Sequence, residues 1–128
     1  MRLHLMDGLT VTAVVAVWGC GGGTSSPTSP TTTNPTTVSI VGSAGNQAFS
    51  PNPVRVPSGS PVVFRNNTNE FHRIVMDSGT LIGELAPGSS SAPVQVGAGG
   101  NFRCTNHPSM VGSINGTTAP TPPPGDGY

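Results

Sequence analysis

The chain has 128 residues, only 8% of them charged, with five arginines, five acidic residues, no lysine and a formal net charge of zero. That length has room for one domain. The charge pattern excludes the basic footprint that nucleic acid requires and the polybasic patch that an anionic membrane surface attracts.

Residues 1–20 read as an export signal. Arg2 and His4 give a weakly basic start, and the segment from 9 to 18 is almost wholly apolar but too short to span a bilayer as a helix. Its end, Val17-Trp18-Gly19-Cys20, resembles a bacterial lipobox, in which the cysteine is acylated and becomes the mature N-terminus. A plain secretory signal is the other reading. Residues 21–36 are Gly, Ser, Thr, Pro and Asn, a composition that buries too little surface to offset the entropy of ordering, so they are expected to form a flexible tether. Residues 117–128 are again rich in Thr, Pro and Gly and are expected to be a disordered tail. This leaves residues 37–116 as the folded domain.

That middle stretch reads as β throughout. A first strand begins at Val38-Ser39-Ile40-Val41. Residues 49–56 follow, with Pro51 and Pro53 marking an edge or irregular strand. Pro57-Ser58-Gly59-Ser60 makes a turn, and Pro61-Val62-Val63-Phe64 a buried strand running into Arg65-Asn66-Asn67. His72-Arg73-Ile74-Val75-Met76 is another strand, stopped by Asp77-Ser78-Gly79, with Met76 expected in the core. Residues 81–85 are apolar but ambiguous in type. Pro93-Val94-Gln95-Val96 and Gly100-Asn101-Phe102-Arg103-Cys104 read as a hairpin across Gly97-Ala98-Gly99, and a last short strand covers residues 110–114. No segment keeps a helical period over ten residues. Seven to eight short strands at regular turn spacing imply an all-β sandwich. The sequons Asn66-Asn67-Thr68 and Asn115-Gly116-Thr117 are read as chance matches, because the lipobox-like signal points to bacteria.

The chemistry concentrates in Cys104-Thr105-Asn106-His107-Pro108-Ser109-Met110, which offers a thiolate, an imidazole and a thioether in one short loop. A second imidazole, His72, opens an upstream strand. One thiolate, two imidazoles and a weak thioether form the donor set of a blue-copper electron-transfer site, so His72, Cys104, His107 and Met110 are the candidate ligands of one copper ion cycling between Cu(I) and Cu(II). In a domain this small a bound metal would also add stability. The only other cysteine, Cys20, ends the export segment, so no disulfide with Cys104 is expected. His4 lies in the signal and is irrelevant to the site.

With these residues in place the chain resembles a cupredoxin of the plastocyanin/amicyanin type. The run from Val62 through Asn66-Asn67-Thr68-Asn69-Glu70-Phe71-His72 resembles the plastocyanin strand that ends in the first copper histidine, and the Cys-Thr-x-His-Pro-x-Met loop is closer to amicyanin. Phe49-x-Pro and Gly112 fit as well, so the resemblance covers roughly residues 38–115. It implies a Greek-key β-sandwich, with His72, Cys104 and His107 as equatorial ligands and Met110 as the axial one. In the family, a threonine after the cysteine often pairs with an asparagine directly after the first histidine. Here Thr105 is present but Arg73 occupies the second place, and Asn66, Asn67 or Asn106 are the candidates to substitute. Arg73 reads better as a solvent-facing strand residue.

The resemblance also implies an electron carrier, not an enzyme. It is expected to be monomeric and exported to the periplasm or cell surface, with a membrane attachment if Cys20 is acylated. Transient redox partners are expected to dock where the edge of His107 is exposed, beside Pro108, with Ala44, Gly45, Ala86, Pro87 and Gly88 as uncharged surroundings. Glu70, Asp77 and Glu84 are scattered among arginines, so electrostatic steering is expected to be weak. A copper storage, delivery or sensing module would use the same ligands, but it would favour Met- or His-rich tracts, which the sequence lacks.

Overall fold

The computed structural model describes residues 33–124. The export segment, the lipobox-like end at Cys20 and most of the tether lie outside the described residues.

Among the described residues, eight strands form two four-stranded sheets. They are β1 (Thr36–Ile40), β2 (Phe49–Ser50), β3 (Pro61–Asn66), β4 (His72–Met76), β5 (Leu81–Leu85), β6 (Val94–Gln95), β7 (Gly100–Cys104) and β8 (Val111–Ile114). One sheet has the order β2-β1-β3-β6 and the other β5-β4-β7-β8. Only β1 and β3 pair in parallel; the other ladders are antiparallel. The all-β sandwich expected from the turn spacing is therefore present, at the upper end of the expected strand count. β1 starts at Thr36, inside the stretch read as tether.

Strand alternation puts one set of side chains between the sheets. β1 contributes Val38 and Ile40, β3 contributes Val62 and Phe64, β4 contributes Ile74 and Met76, and β7 contributes Phe102. Three rings meet edge to face at the centre: Phe49–Phe102 at 4.8 Å, Phe64–Phe102 at 5.0 Å and Phe49–Phe64 at 6.1 Å between centroids. Such pairs contribute about 0.5–1.5 kcal/mol each beyond the area they bury. Residues 81–85, ambiguous by pattern, form a strand because β4 is beside them to pair with. Ile82 and Leu85 are buried there.

The expected hairpin between residues 93–96 and 100–104 does not form. β6 pairs with β3 in one sheet, and β7 pairs with β4 and β8 in the other. Gly97, Gly99 and Gly100 all have positive φ, at 55°, 95° and 138°. Those three positive-φ positions, which favour glycine, carry the chain across the sandwich and not back along the same sheet.

The last strand is closed off. Asn52 donates to the Val111 carbonyl at 3.0 Å and accepts from the Ser113 amide at 3.0 Å, while the Val54 amide reaches the Ser113 carbonyl at 2.8 Å. The backbone groups at the free edge of β8 are thereby satisfied, and all four of its residues are buried. In the segment read as tail, residues 117–124 carry no strand, and Asn46 donates to the Pro120 carbonyl at 3.3 Å.

Candidate metal centre

The site lies where the inner faces of β3, β4 and β7 run out at one end of the sandwich. Alternation places His72 on the same side of β4 as Ile74 and Met76, and Cys104 on the same side of β7 as Phe102. The register pairs Ile74 with Cys104, so His72 stands one inward step beyond it, over the loop that follows β7. That loop is closed at its base by the Cys104 amide donating to the Met110 carbonyl at 3.1 Å. It is drawn tight by the Met110 amide donating to the His107 carbonyl at 2.9 Å.

Three of the four sequence-predicted residues meet directly. The donor atoms of His72, Cys104 and His107 all lie within 4.8 Å of one another. Both imidazoles turn Nδ1 toward the Cys104 Sγ, each at 3.7 Å, and the two ring centroids are 5.0 Å apart. Donors about 2.0–2.3 Å from a shared centre at trigonal to tetrahedral angles would stand about 3.3–4.0 Å from one another, so the two 3.7 Å N–S separations suit one shared first-row metal ion. Cys104 is a free, buried thiol. Met110 is fully buried at the loop's far end and belongs to the same core.

The other ring nitrogens are held by a single turn, residues 66–71. His72 Nε2 lies 2.7 Å from the Thr68 hydroxyl. That hydroxyl donates to Asn66 Oδ1 at 2.8 Å, which also accepts the Thr68 amide at 2.9 Å. Asn66 is wholly buried, and its Nδ2 donates to the carbonyls of Glu70 at 2.7 Å and Leu85 at 3.0 Å. His107 Nε2 lies 3.5 Å from the Glu70 carboxylate, and its side chain keeps 16% of its surface exposed. Sequence reasoning missed Thr68 and Glu70 as neighbours of the site. Residue type alone marks neither, because the turn's path decides what they face.

The two ligand-bearing segments are tied through the backbone. The Thr105 amide donates to the Arg73 carbonyl at 2.9 Å, a backbone bond indifferent to the side chain at position 73. The Thr105 hydroxyl has only long contacts, 3.4 Å to Asn106 Oδ1 and 3.5 Å to the Arg73 carbonyl. Asn67 accepts from Arg65 on the surface, and Asn66 turns to Thr68. Arg73 faces solvent and pairs with Glu84, its cross-strand neighbour, at 3.1 Å. A second exposed pair joins Arg103 to Asp77 at 2.9 Å. Exposed pairs of this kind contribute little to stability.

A groove of about 230 Å³ runs along Phe102, Arg103, Pro108, Val111 and Pro120, and it contains none of the four candidate ligands. The donors converge on a point.

Burial lowers the His72 pKa below its ordinary value of 6.5; His107 nearby pushes it the same way and Glu70 opposes them. Below about pH 6.5 the unfolded chain takes up a proton at this residue that the folded chain still refuses. The metal-free protein should therefore lose stability as pH falls through that range, with a slope from this group of at most ~1.4 kcal/mol per pH unit. Denaturant titrations from pH 7.5 to 5 check this, with His72→Gln expected to show the shallower slope. Equal slopes in the two proteins would refute it.

No family model and no curated protein matches the sequence. Among solved structures, the chain is similar to the Cu-containing nitrite reductase of Thermus scotoductus SA-01, with 24% identity and a TM-score of 0.51. That match covers 62% of this chain but only 21% of the reductase. It is also similar to a reduced mutant of amicyanin, with 17% identity and a TM-score of 0.51, over 62% of this chain and 79% of amicyanin. A Cu(I) form of another amicyanin mutant aligns with 16% identity and a TM-score of 0.50 over the same shares. At these identities the likeness is one of fold.

Proposed function

We propose, from the premise that the chain has the cupredoxin fold, that it is a type 1 copper protein carrying single electrons. In this reading His72, Cys104, His107 and Met110 would hold the ion. The observation that carries it is the convergence of both Nδ1 atoms on one buried thiol at 3.7 Å, inside a β-sandwich. A thiolate with two imidazoles and a weak thioether is the donor set that suits copper over zinc, and copper held there would supply one-electron Cu(I)/Cu(II) chemistry.

The remaining features suit a carrier. His72, Cys104 and Met110 are sealed in the core, so the donors are rigid and dry. His107 alone among the four reaches the surface, which gives electrons one short way out. Phe71, exposed at 45%, adds an apolar side chain beside this turn, and Glu70 is the one carboxylate next to His107. With Glu84 and Asp77 each paired to an arginine, transient redox partners would dock here mainly through apolar contact. The nitrite reductase likeness spans a fifth of that protein's chain and does not move the reading toward an enzyme. Export to the periplasm or cell surface, with a lipid anchor at Cys20, completes the proposal and rests on residues 1–20 alone.

Adding Cu(II) to the purified protein tests it. One equivalent should develop an intense visible thiolate-to-copper band with a narrow copper EPR splitting, and voltammetry should be fast and reversible. A colourless, weakly held complex would sink the reading. A coloured complex with sluggish voltammetry would favour copper storage or delivery.

A further inference from the structure

We propose that Thr68, backed by Asn66, is a positioning residue that fixes which nitrogen of His72 is bare, and so presents Nδ1 ready-made to the metal. The inference deepens the copper reading and rests on it only for its second measurement.

Two backbone carbonyls fix the orientation of Asn66. A carbonyl oxygen can only accept, so the Asn66 side-chain nitrogen must be the end facing Glu70 O at 2.7 Å and Leu85 O at 3.0 Å. That orients Asn66 Oδ1 toward Thr68, where it accepts the backbone amide at 2.9 Å and the hydroxyl at 2.8 Å. The Thr68 hydroxyl has one proton, and it is committed to Asn66. Toward His72, 2.7 Å away, its oxygen can only accept. His72 Nε2 must therefore carry the hydrogen, which leaves Nδ1 with a free lone pair. Nδ1 is the atom aimed at Cys104 Sγ, 3.7 Å away. No proton is gained or lost in this scheme; the chain decides only which of two nitrogens holds it.

The clamp is rigid because Asn66 and His72 are both wholly buried, and Asn66 is also bound through its backbone. Its amide donates to Ser89 O at 2.8 Å and its carbonyl accepts from Gly88 N at 3.0 Å. The corresponding contact on His107 is looser. Glu70 stands 3.5 Å from Nε2, and its side chain is 53% exposed. The two histidines are thus oriented by one turn with unequal firmness, and the buried one is the firmer. Partners on the far nitrogen of a ligating histidine commonly change metal affinity 10–100-fold when removed.

Thr68→Val keeps the shape and removes the hydroxyl, and Thr68→Ser restores it. Long-range proton–nitrogen NMR of the metal-free protein should show His72 as a single Nε2–H form in the wild type and in Thr68→Ser. In Thr68→Val it should show a mixture of the two forms. Cu(II) affinity should fall about 10–100-fold in Thr68→Val and stay within a few-fold in Thr68→Ser. An Nδ1–H form in the wild type overturns the proposal. So does a valine variant whose tautomer is unchanged, or one whose tautomer changes while its copper affinity does not. The NMR measurement needs no metal, so if the wild type shows no thiolate band the copper reading fails and the tautomer alone decides the clamp.

Discussion

Cys104→Ser should abolish the intense visible band of the copper-loaded protein while leaving the sandwich folded. The band requires a sulfur that can pass charge to the metal, and Cys104 is the only thiol among the described residues. Met110 cannot replace it, because a thioether is a weak donor that carries no negative charge. The substitution is nearly isosteric, so no cavity opens around Phe102 or Ile74. A buried hydroxyl without a partner would cost about 1–3 kcal/mol. Here the two Nδ1 atoms that face Sγ at 3.7 Å give the new hydroxyl an acceptor within a small adjustment. Absorption and EPR spectra with equimolar Cu(II), together with a denaturant midpoint, check both halves. A variant that keeps the band would remove Cys104 from the ligand set. One that unfolds would show that the cysteine has a structural role beyond the one proposed.

Gly112→Ala should be strongly destabilising. Gly112 sits directly opposite Phe102 in the β7–β8 register, and a Cβ there would overlap the outer carbons of the Phe102 ring. That ring is 1% exposed and is packed edge to face against both Phe49 and Phe64, so it cannot swing aside. Overpacking of a dense core costs about 1–3 kcal/mol and sometimes more, and this position should reach about 3 kcal/mol. A domain of this size would then melt on the order of 15 °C lower. Phe102→Leu, destabilising by itself, should make the alanine much cheaper in the double variant, because the two changes share one space. A melting temperature within a few degrees of wild type for Gly112→Ala would contradict this packing argument. Phe102 lies two residues before Cys104 on the same face of β7, so loss of its packing should also broaden the copper spectrum.

Several features are legible in the sequence alone. Cys104, His107 and Met110 lie within seven residues, so their meeting follows from local chain geometry once a loop is granted. Asn66 was legible in part. The alternation Val62, Phe64, Asn66 carries the inner face of β3 into a polar residue, and a buried asparagine must find partners. The sequon formed by Asn66 and Thr68 was read as chance, and the buried, fully bonded Asn66 side chain is at odds with a modification site. The ambiguity of residues 81–85 and the false hairpin across residues 97–99 have a common source. Both depend on which strand lies alongside, and a short apolar run or a glycine-rich turn is compatible with more than one neighbour.

What the sequence determined by itself is therefore what periodicity and short spacing carry: an all-β domain, the inward set of core residues, and a thiol, an imidazole and a thioether on one loop. The tertiary structure decided everything that depends on contacts between distant segments. It brought His72 from β4 to the loop after β7, sent β6 and β7 into different sheets, and joined Thr105 to the backbone of Arg73, where the side chain at position 73 plays no part. It also folded the turn at residues 66–71 so that Thr68 and Glu70 meet the two imidazoles. Hydrogen bonds are directional and short-ranged, so which polar atom meets which is fixed only after packing has set the backbone to within a fraction of an ångström.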